Sequence, residues 1–179
     1  MATLDLIEEF LNTVDERTFS RHGEDHVAGE QLTSPQALGE WLTAHDLPAR
    51  TQLRPADLTA TIALRTALRQ ALIAETSGIS ALGDYPLRLA PDHEGGLRLT
   101  ARSGRPWLDT IVETVAESAA RGDWKRIKLC AAPDCRWAFH DTSRNGRGRW
   151  CDMAVCGNRT KTRTYRERRQ AGSAPEPGV

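Results

Sequence analysis

The sequence lacks several features that would point to a membrane, secreted or catalytic protein. None of its apolar runs approaches the roughly 18 residues that a membrane-spanning helix needs. The opening residues, MATLDLIEEF, contain no basic segment ahead of an apolar stretch, so they do not resemble a secretory signal. There is also no nucleophile elbow, phosphate-binding loop or zinc-hydrolase motif. We therefore expect a cytoplasmic protein that is not an enzyme and has no membrane partner.

Lysine is scarce, and the formal net charge of zero conceals a separation of charge along the chain. Residues 1–120 contain no Lys, 10 Arg and 18 acidic residues, a balance of −8. Residues 121–170 contain 14 basic and 5 acidic residues, a balance of +9, and Glu176 contributes −1. The preference for Arg over Lys says little by itself, because genomic base composition can produce it. The separation of charge indicates two parts, of which the basic one suits a polyanion.

Apolar residues at helical spacing predict four helices in the first 120 residues. The predicted helices run over 3–17, from Ser34-Pro35 to just before Pro48, from Pro55 to about Thr76, and from Pro106 to Gly122. Alternating segments at 86–90 and 97–101 predict one β-hairpin, and the polar stretch 20–33 is interpreted as a loop. Residues 1–120 are therefore predicted to form one mainly helical α+β domain, and residues 171–179 a disordered tail.

All four cysteines lie close together in the sequence, in two pairs of equal spacing. Cys130-x4-Cys135 and Cys151-x4-Cys156 are separated by 15 residues, an arrangement that suits a tetrahedral structural Zn²⁺ site. Because four thiolates fill the coordination sphere, the zinc is predicted to hold the fold and not to catalyse. Two disulfides would need an oxidising compartment, and four unrelated cysteines would not be expected to pair. His140 is a weaker candidate to replace one thiolate.

The apolar residues between 124 and 170 are too few to offset the chain entropy of so long a segment. Zinc binding supplies the difference, of order 10 kcal/mol in comparable small modules. The expected module has two cysteine-pair knuckles, a short hairpin and a basic C-terminal helix. We expect a chelator to unfold residues 124–170 and to leave residues 1–120 largely helical.

A strongly basic helix is predicted after the last cysteine, from Arg159 to Gln170, with Asn158 as its N-cap. It is polar on almost every side, so a phosphate-bearing partner is expected to offset the repulsion between its cations; a solvated helix without a ligand is the alternative. The spacer loop between the cysteine pairs adds arginines that could contact phosphates, although the same segment could be an ordinary turn. The candidate nucleic-acid-binding residues are Arg144, Arg147, Arg149, Arg159, Lys161, Arg163, Arg166 and Arg169.

A second set of polar residues lies at the predicted end of the first helix. Asn12, Asp15 and Arg17 are found there, next to the polar residues at 22–26. These three are candidates for an effector pocket or a second metal site. Local capping and salt-bridging around a loop is the alternative interpretation.

The residues around the cysteines resemble the CGNR zinc finger, a family named for the run Cys156-Gly157-Asn158-Arg159. The Cys130-x4-Cys135 pair, the run from Trp150 to Arg159 and the basic helix all fit this resemblance. It implies a C-terminal finger, thought to bind DNA, that follows an ABATE domain, described as a stress-induced transcription regulator. Residues 1–120 are similar to ABATE in Phe10-Leu11-Asn12-Thr13 and in the run from Leu32 to Leu42. The implied division is an ABATE-like domain over 1–120 and a CGNR-type finger over 121–170.

Together these observations favour a bacterial transcription regulator that binds duplex DNA through a finger held by structural zinc. The acidic first part is expected to sense an unknown effector or to form a homodimer. A single short basic helix gives modest affinity, so two copies on adjacent sites are expected. An RNA-binding module and a zinc-held protein-interaction adaptor are the alternatives, because phosphate attraction does not distinguish DNA from RNA.

Overall fold

The computed structural model describes residues 3–21, 24–73, 79–92 and 94–171. Within them, five α-helices and four short antiparallel strand pairs form an α+β arrangement, as expected from the sequence. The helices are α1 (Thr3–Leu11), α2 (Pro35–Ala44), α3 (Pro55–Leu72), α4 (Pro106–Arg121) and α5 (Asn158–Ala171). The strands are β1 (Val14–Asp15), β2 (Ser20–Arg21), β3 (Glu24–Asp25), β4 (Gly29–Glu30), β5 (Arg88–Pro91), β6 (Leu97–Thr100), β7 (Ile127–Leu129) and β8 (Ala138–His140). They pair as β1–β4, β2–β3, β5–β6 and β7–β8.

Several helix ends lie where local sequence signals predict them. The Oγ atom of Ser34 accepts a hydrogen bond from the Ala37 N–H at 3.0 Å and caps α2, whose first residue is Pro35. Helix α4 ends at Arg121, and its C-cap Gly122 has a φ of 80°, in the left-handed region that glycine adopts most easily. The third helix ends at Leu72, with Ile73 as its C-cap, before the predicted end at about Thr76. Thr76 and Gly78 themselves lie outside the described residues.

The first helix is shorter than predicted. Helix α1 ends at Leu11, not at Arg17, and β1 lies where the helix was expected to continue. Strands β2, β3 and β4 lie where a loop was expected. The β-branched side chains of Thr13 and Val14 favour extended backbone over helix. In addition, the side chain of Asn12 binds the backbone of a distant strand, as described below, which holds the chain away from a helical path.

One apolar core joins the first four helices. Its fully buried side chains include Phe10 of α1, Leu38 of α2, Leu64 of α3 and Trp107 of α4. The indole N–H of Trp107 donates to the Oγ1 atom of Thr61 at 3.0 Å, so its polar group is satisfied inside the core. Each of these large apolar side chains contributes roughly 1.5–3 kcal/mol by leaving water.

The β7–β8 hairpin, which carries the first cysteine pair, packs on this same core. Ile127 and Ala138 are 2% and 0% exposed and belong to the core of the first four helices. Asn12 reinforces the contact: its Nδ2 donates to the Ala138 carbonyl at 2.9 Å, and its Oδ1 accepts from the Ala138 N–H at 2.8 Å. The change of charge near residue 121 is therefore not accompanied by a break in packing.

Helix α3 buries two arginines among its apolar residues. Arg65 is 3% exposed and forms a two-point contact with Glu30, with nitrogen–oxygen distances of 2.7 and 2.5 Å. Arg69 is 6% exposed and donates to the Leu11 carbonyl and to Glu16, both at 2.9 Å. These ion pairs join α3 to the end of α1 and the strands that follow it. Among the described helices, none is both long enough and apolar enough to cross a membrane.

Candidate metal centre and nucleic-acid interface

The four cysteines meet at one point. All four Sγ atoms lie within 4.8 Å of one another, with 3.6 Å between Cys135 and Cys151 and 3.7 Å between Cys151 and Cys156. Ligands about 2.3 Å from a tetrahedral Zn²⁺ are separated by about 3.8 Å, so these separations fit a zinc site. Three of the four residues are buried, and Cys151 is partly buried. The cluster therefore suits a structural metal with no position open to substrate.

The two alternatives to a four-thiolate site do not match this geometry. A disulfide needs about 2.05 Å between sulfur atoms, and all four cysteines are free thiols. His140 is exposed on β8, and its backbone N–H donates to a carboxylate oxygen of Glu8 at 3.0 Å. The group of metal-ligand atoms consists of the four cysteines without this histidine.

Each cysteine pair is held by a local backbone turn. In the first, the Cys130 N–H donates to the Trp137 carbonyl at 2.8 Å, and the Ala132 carbonyl accepts from the Cys135 N–H at 3.0 Å. Arg136, which follows, has a φ of 53°, so the turn closes in the left-handed region. Backbone conformation thus sets the direction of the first two thiols.

The second cysteine pair is held by a capped π-helical turn, Met153–Gly157. Oδ1 of Asp152 accepts from the N–H groups of Ala154 and Val155, at 2.8 and 3.1 Å. The turn runs directly into α5, so Asn158 has helical backbone angles (φ −68°, ψ −41°) and is not the N-cap that the sequence predicts. The cap belongs to Asp152, six residues earlier, because its carboxylate reaches the N–H groups at the beginning of the π-helical turn.

Without a cation, four thiols this close cannot all ionise. Hydrogen bonds from Cys135 and Cys151 lower the pKa of Cys130, whereas the hydrogen bonds that those two neutral thiols make to Cys130 raise their own pKa values. Burial, together with the charge on Cys130, raises the pKa of Cys156. A divalent cation resolves this conflict, because it stabilises all four as thiolates. The donor set and its electrostatics thus both fit zinc.

A comparison with protein-family models identifies this segment. Residues 126–169 match the CGNR zinc finger. The match covers β7–β8, both cysteine pairs and α5 as far as Arg169, which is about a quarter of the chain. No curated protein matches the chain. The resemblance of the first 120 residues to ABATE stays a prediction.

The arginine of the CGNR run packs inside the molecule. The guanidinium of Arg159 donates to Asp134 at 3.0 Å, lies 3.5 Å from the ring centre of Phe19 and has one nitrogen 3.8 Å from the sulfur of Cys156. It therefore joins α5, the first cysteine turn and the segment after β1. Of the candidate nucleic-acid-binding residues, this one is engaged in internal contacts.

The rest of α5 presents its cations to solvent. All residues from Lys161 to Arg169 are exposed except the half-buried Thr164. Tyr165, the one aromatic residue of α5, is 61% exposed, and the Arg169 guanidinium lies 5.9 Å from the centre of its ring. The exposed candidate cations of α5 are Lys161, Arg163, Arg166 and Arg169.

The spacer arginines lie on a fixed turn that we call the arginine loop, residues 143–149. Asp141, whose side chain is 3% exposed, accepts from the N–H groups of Ser143 and Gly148 and from Lys128 Nζ, at 3.0, 2.8 and 2.5 Å. The hydrogen bond from Lys128 holds the pKa of Asp141 well below its usual range. A Cβ atom at Gly148 would lie 2.6 Å from the Asp141 carboxylate, so the close approach requires glycine. The arginines exposed on this loop are Arg144, Arg147 and Arg149.

Two of the three candidate effector-pocket residues, Asn12 and Arg17, contact the finger. The amide of Asn12 is used by Ala138, as described above. Asp15 and Arg17 form an ion pair at 2.6 Å, and the Arg17 guanidinium stacks 4.0 Å from the ring centre of Trp137. Asn12 lines a 240 Å³ pocket that Asp15 and Arg17 do not line. The ion pair between Asp15 and Arg17 fits the alternative interpretation, in which these residues form a local salt bridge.

Sequence reasoning missed a group of charged residues between α3 and the finger. Arg65, Arg69, Glu16 and Arg136 line a pocket of 260 Å³ at this junction. Arg136 approaches the second carboxylate oxygen of Glu16 at 3.6 Å. The available signal was the spacing of Arg65 and Arg69, which are four residues apart and each follow a leucine of the buried stripe.

Proposed function

We propose that this chain is a structural-zinc protein that binds duplex DNA through α5 and the arginine loop. Its role would be that of a transcription regulator, with residues 1–120 as an ABATE-like sensing or dimerisation domain. The observation that supports this proposal is the exposure of α5, a basic helix that extends from a cysteine cluster and has no apolar face to bury.

The shape and charge of this surface suit a nucleic-acid backbone. A helix about 10–12 Å across fits the DNA major groove, which is about 12 Å wide. Four exposed candidate cations on α5 and three on the arginine loop can each neutralise a phosphate and release a counterion. Because Asp141 holds the backbone of the loop, that backbone loses little additional conformational entropy when the arginines bind.

The proposal assigns different roles to the basic residues of the finger. Lys161, Arg163 and Arg166 are exposed and would contact phosphates. Arg159 would instead fix the orientation of α5 relative to the rest of the molecule, since its guanidinium contacts Asp134 and Phe19. The zinc would act only on the fold, because four thiolates leave no position for a reacting water, and we propose no catalytic role for the chain.

The test is binding of the zinc-loaded full chain to a fluorescent random-sequence duplex, measured by anisotropy over a salt series. Replacing Arg163 and Arg166 together by Gln should weaken binding about 10- to 100-fold and reduce the salt slope by about two, since each lost phosphate contact removes about 0.9 from it. The matched control replaces Arg88 and Arg98, exposed on the β5–β6 hairpin outside the finger, by Gln. The control removes the same charge and should leave binding nearly unchanged.

The same titration distinguishes the competing functions. If structured RNA displaces the duplex at much lower concentration than unlabelled DNA does, the protein is an RNA binder. If neither nucleic acid binds, or if both double variants weaken binding equally, α5 is not the interface and the adaptor hypothesis gains weight. Selection from the duplex pool should return two half-sites if two copies bind together.

A further inference from the structure

A pocket lined by three arginines lies where α3 meets the finger. We propose that the 260 Å³ pocket lined by Arg65, Arg69, Arg136 and Glu16 binds a small organic anion, a carboxylate or phosphate monoester with a short apolar body. We call it the arginine pocket. Its volume lies just below the roughly 300 Å³ at which pockets begin to hold drug-sized ligands, so it suits a small molecule. The site does not depend on the proposed binding of nucleic acid, and its test uses no nucleic acid.

Positive charge in the arginine pocket exceeds the negative charge that lines it. Three guanidinium groups and one carboxylate line the pocket. Glu30 neutralises Arg65 from outside the lining set, which leaves Glu16 to serve both Arg69, at 2.9 Å, and Arg136, at 3.6 Å. Burial lowers the pKa of Arg69. Glu16 is thus the one carboxylate of the lining set for both Arg69, whose side chain is 7% exposed, and Arg136, whose side chain is 39% exposed. An anion that takes its place would meet two guanidinium groups.

Two polar atoms of the lining side chains are enclosed without a hydrogen-bond partner in the described part of the chain: Nε of Arg65 and Oε1 of Gln70. The Arg65 side chain is 4% exposed. Buried polar groups nearly always have partners, so hydrogen bonding beside the pocket is incomplete. Both atoms are closed to solvent, so the ligand contacts that we propose are those of Arg69 and Arg136.

Glu16 occupies the position that the ligand carboxylate or phosphate would take. Its side chain is 42% exposed and lies just after β1, so the carboxylate can turn to solvent without unpacking the core. Arg69 and Arg136 would then receive two oxygens of the ligand in place of the two oxygens of Glu16. Leu129 and Ile73 provide apolar surface for the body of the ligand.

The arginine pocket is shared between the two parts of the chain. Arg69 belongs to α3, whereas Arg136 directly follows the zinc-ligand candidate Cys135. Arg69 also donates to the Arg136 carbonyl at 2.9 Å, so it holds the backbone of the first cysteine turn. A ligand that binds both arginines would connect α3 to that turn and stabilise the junction between the first part and the finger.

Isothermal titration of the zinc-loaded full chain with benzoate and with phenyl phosphate tests the site, with benzyl alcohol as the uncharged control. At least one anion should bind with a Kd of a few mM or better, and the alcohol should not bind. Arg136→Asn should weaken binding about tenfold or more, because a charge-assisted contact is lost; asparagine tolerates the positive φ at this position. Arg98→Asn removes a comparable arginine, 49% exposed and 3.7 Å from Glu113, and should change nothing.

Glu16→Gln provides the second test. It removes the carboxylate that competes with the ligand, so the anion should bind several-fold more tightly. The control is Glu117→Gln, which makes the same charge change at an exposed i,i+4 pair on α4. This control should not alter binding. Circular dichroism and zinc content establish that each variant is folded. The proposal fails if neither anion binds at about 10 mM, or if Arg136→Asn and Arg98→Asn have equal effects. It also fails if Glu16→Gln and Glu117→Gln cannot be distinguished.

Discussion

Arg159 joins three separate parts of the molecule through one guanidinium group: Asp134 in the first cysteine turn, Phe19 after β1, and its own helix. A lysine keeps the charge but loses the planar contact with the ring and the fixed donor geometry. We predict that Arg159→Lys lowers the free energy of unfolding by about 1–2 kcal/mol and weakens zinc binding about tenfold. Urea unfolding and a competitive zinc chelator measure the two effects. Arg163→Lys, four residues along α5, should show neither, and equal losses in the two variants would contradict the prediction.

Asp141 acts at the same scale, on the arginine loop. Asp141→Asn removes the charged acceptor of Lys128, so we predict roughly tenfold faster amide exchange at Ser143 and Gly148, measured by hydrogen exchange. The lowered pKa keeps the Asp141 carboxylate ionised. Its contribution to the stability of the loop is therefore fully present above about pH 4, the usual pKa of an aspartate. That contribution is lost only as the pH falls through the lowered pKa. The ratio of the amide exchange rates in the variant and in the wild type should therefore be constant from pH 5 to 8. A ratio that changes steadily over that range would contradict this.

At the scale of elements, Asn12 makes two of the hydrogen bonds between the end of α1 and β8, both of them to Ala138. Asn12→Ala would leave the buried N–H and carbonyl of Ala138 without partners, so we predict a loss of about 2–4 kcal/mol in the free energy of unfolding. Urea denaturation of the zinc-loaded protein measures it. Gln36→Ala removes an exposed hydrogen bond on α2 and should cost less than about 0.5 kcal/mol. A cost for Asn12→Ala no larger than that of the control would show that the two elements do not depend on this contact.

These elements also show how far the sequence could predict the fold. Ser34-Pro35 and Gly122 specify helix ends through adjacent residues, and the spacing of the cysteines predicts their cluster, so both could be predicted. The end of α1 depends on the contact of Asn12 with Ala138, 126 residues away. A pattern of neighbouring residues cannot reveal so distant a contact. The strands between β1 and β4 have two residues each, too few to show an alternating pattern. The arginines of the arginine pocket resemble ordinary helix-forming residues until their burial is known.

At the scale of the whole molecule, the shared core changes the expected response to zinc removal. If the finger unfolds, Ile127 leaves the core and Ala138 loses Asn12, a cost to the remaining structure of about 3–4 kcal/mol. For a chain of this size, that lowers the thermal midpoint by about 10 °C. We therefore predict that a chelator destabilises the first four helices as well, observable as a lower midpoint in circular dichroism at 222 nm. An unchanged midpoint would support the independent finger that the sequence alone suggests.

The contacts of Asn12, Arg17 and Phe19 with the finger also bear on how such a module can be inherited. A recombination event that transferred only the codons for residues 126–169 would leave these three side chains behind. The recipient would gain a finger with a bare strand edge at Ala138, an uncovered Trp137 and no aromatic partner for Arg159. Successful shuffling must therefore transfer the finger together with a matching N-terminal segment, so the two ends of the gene are expected to diversify as a pair.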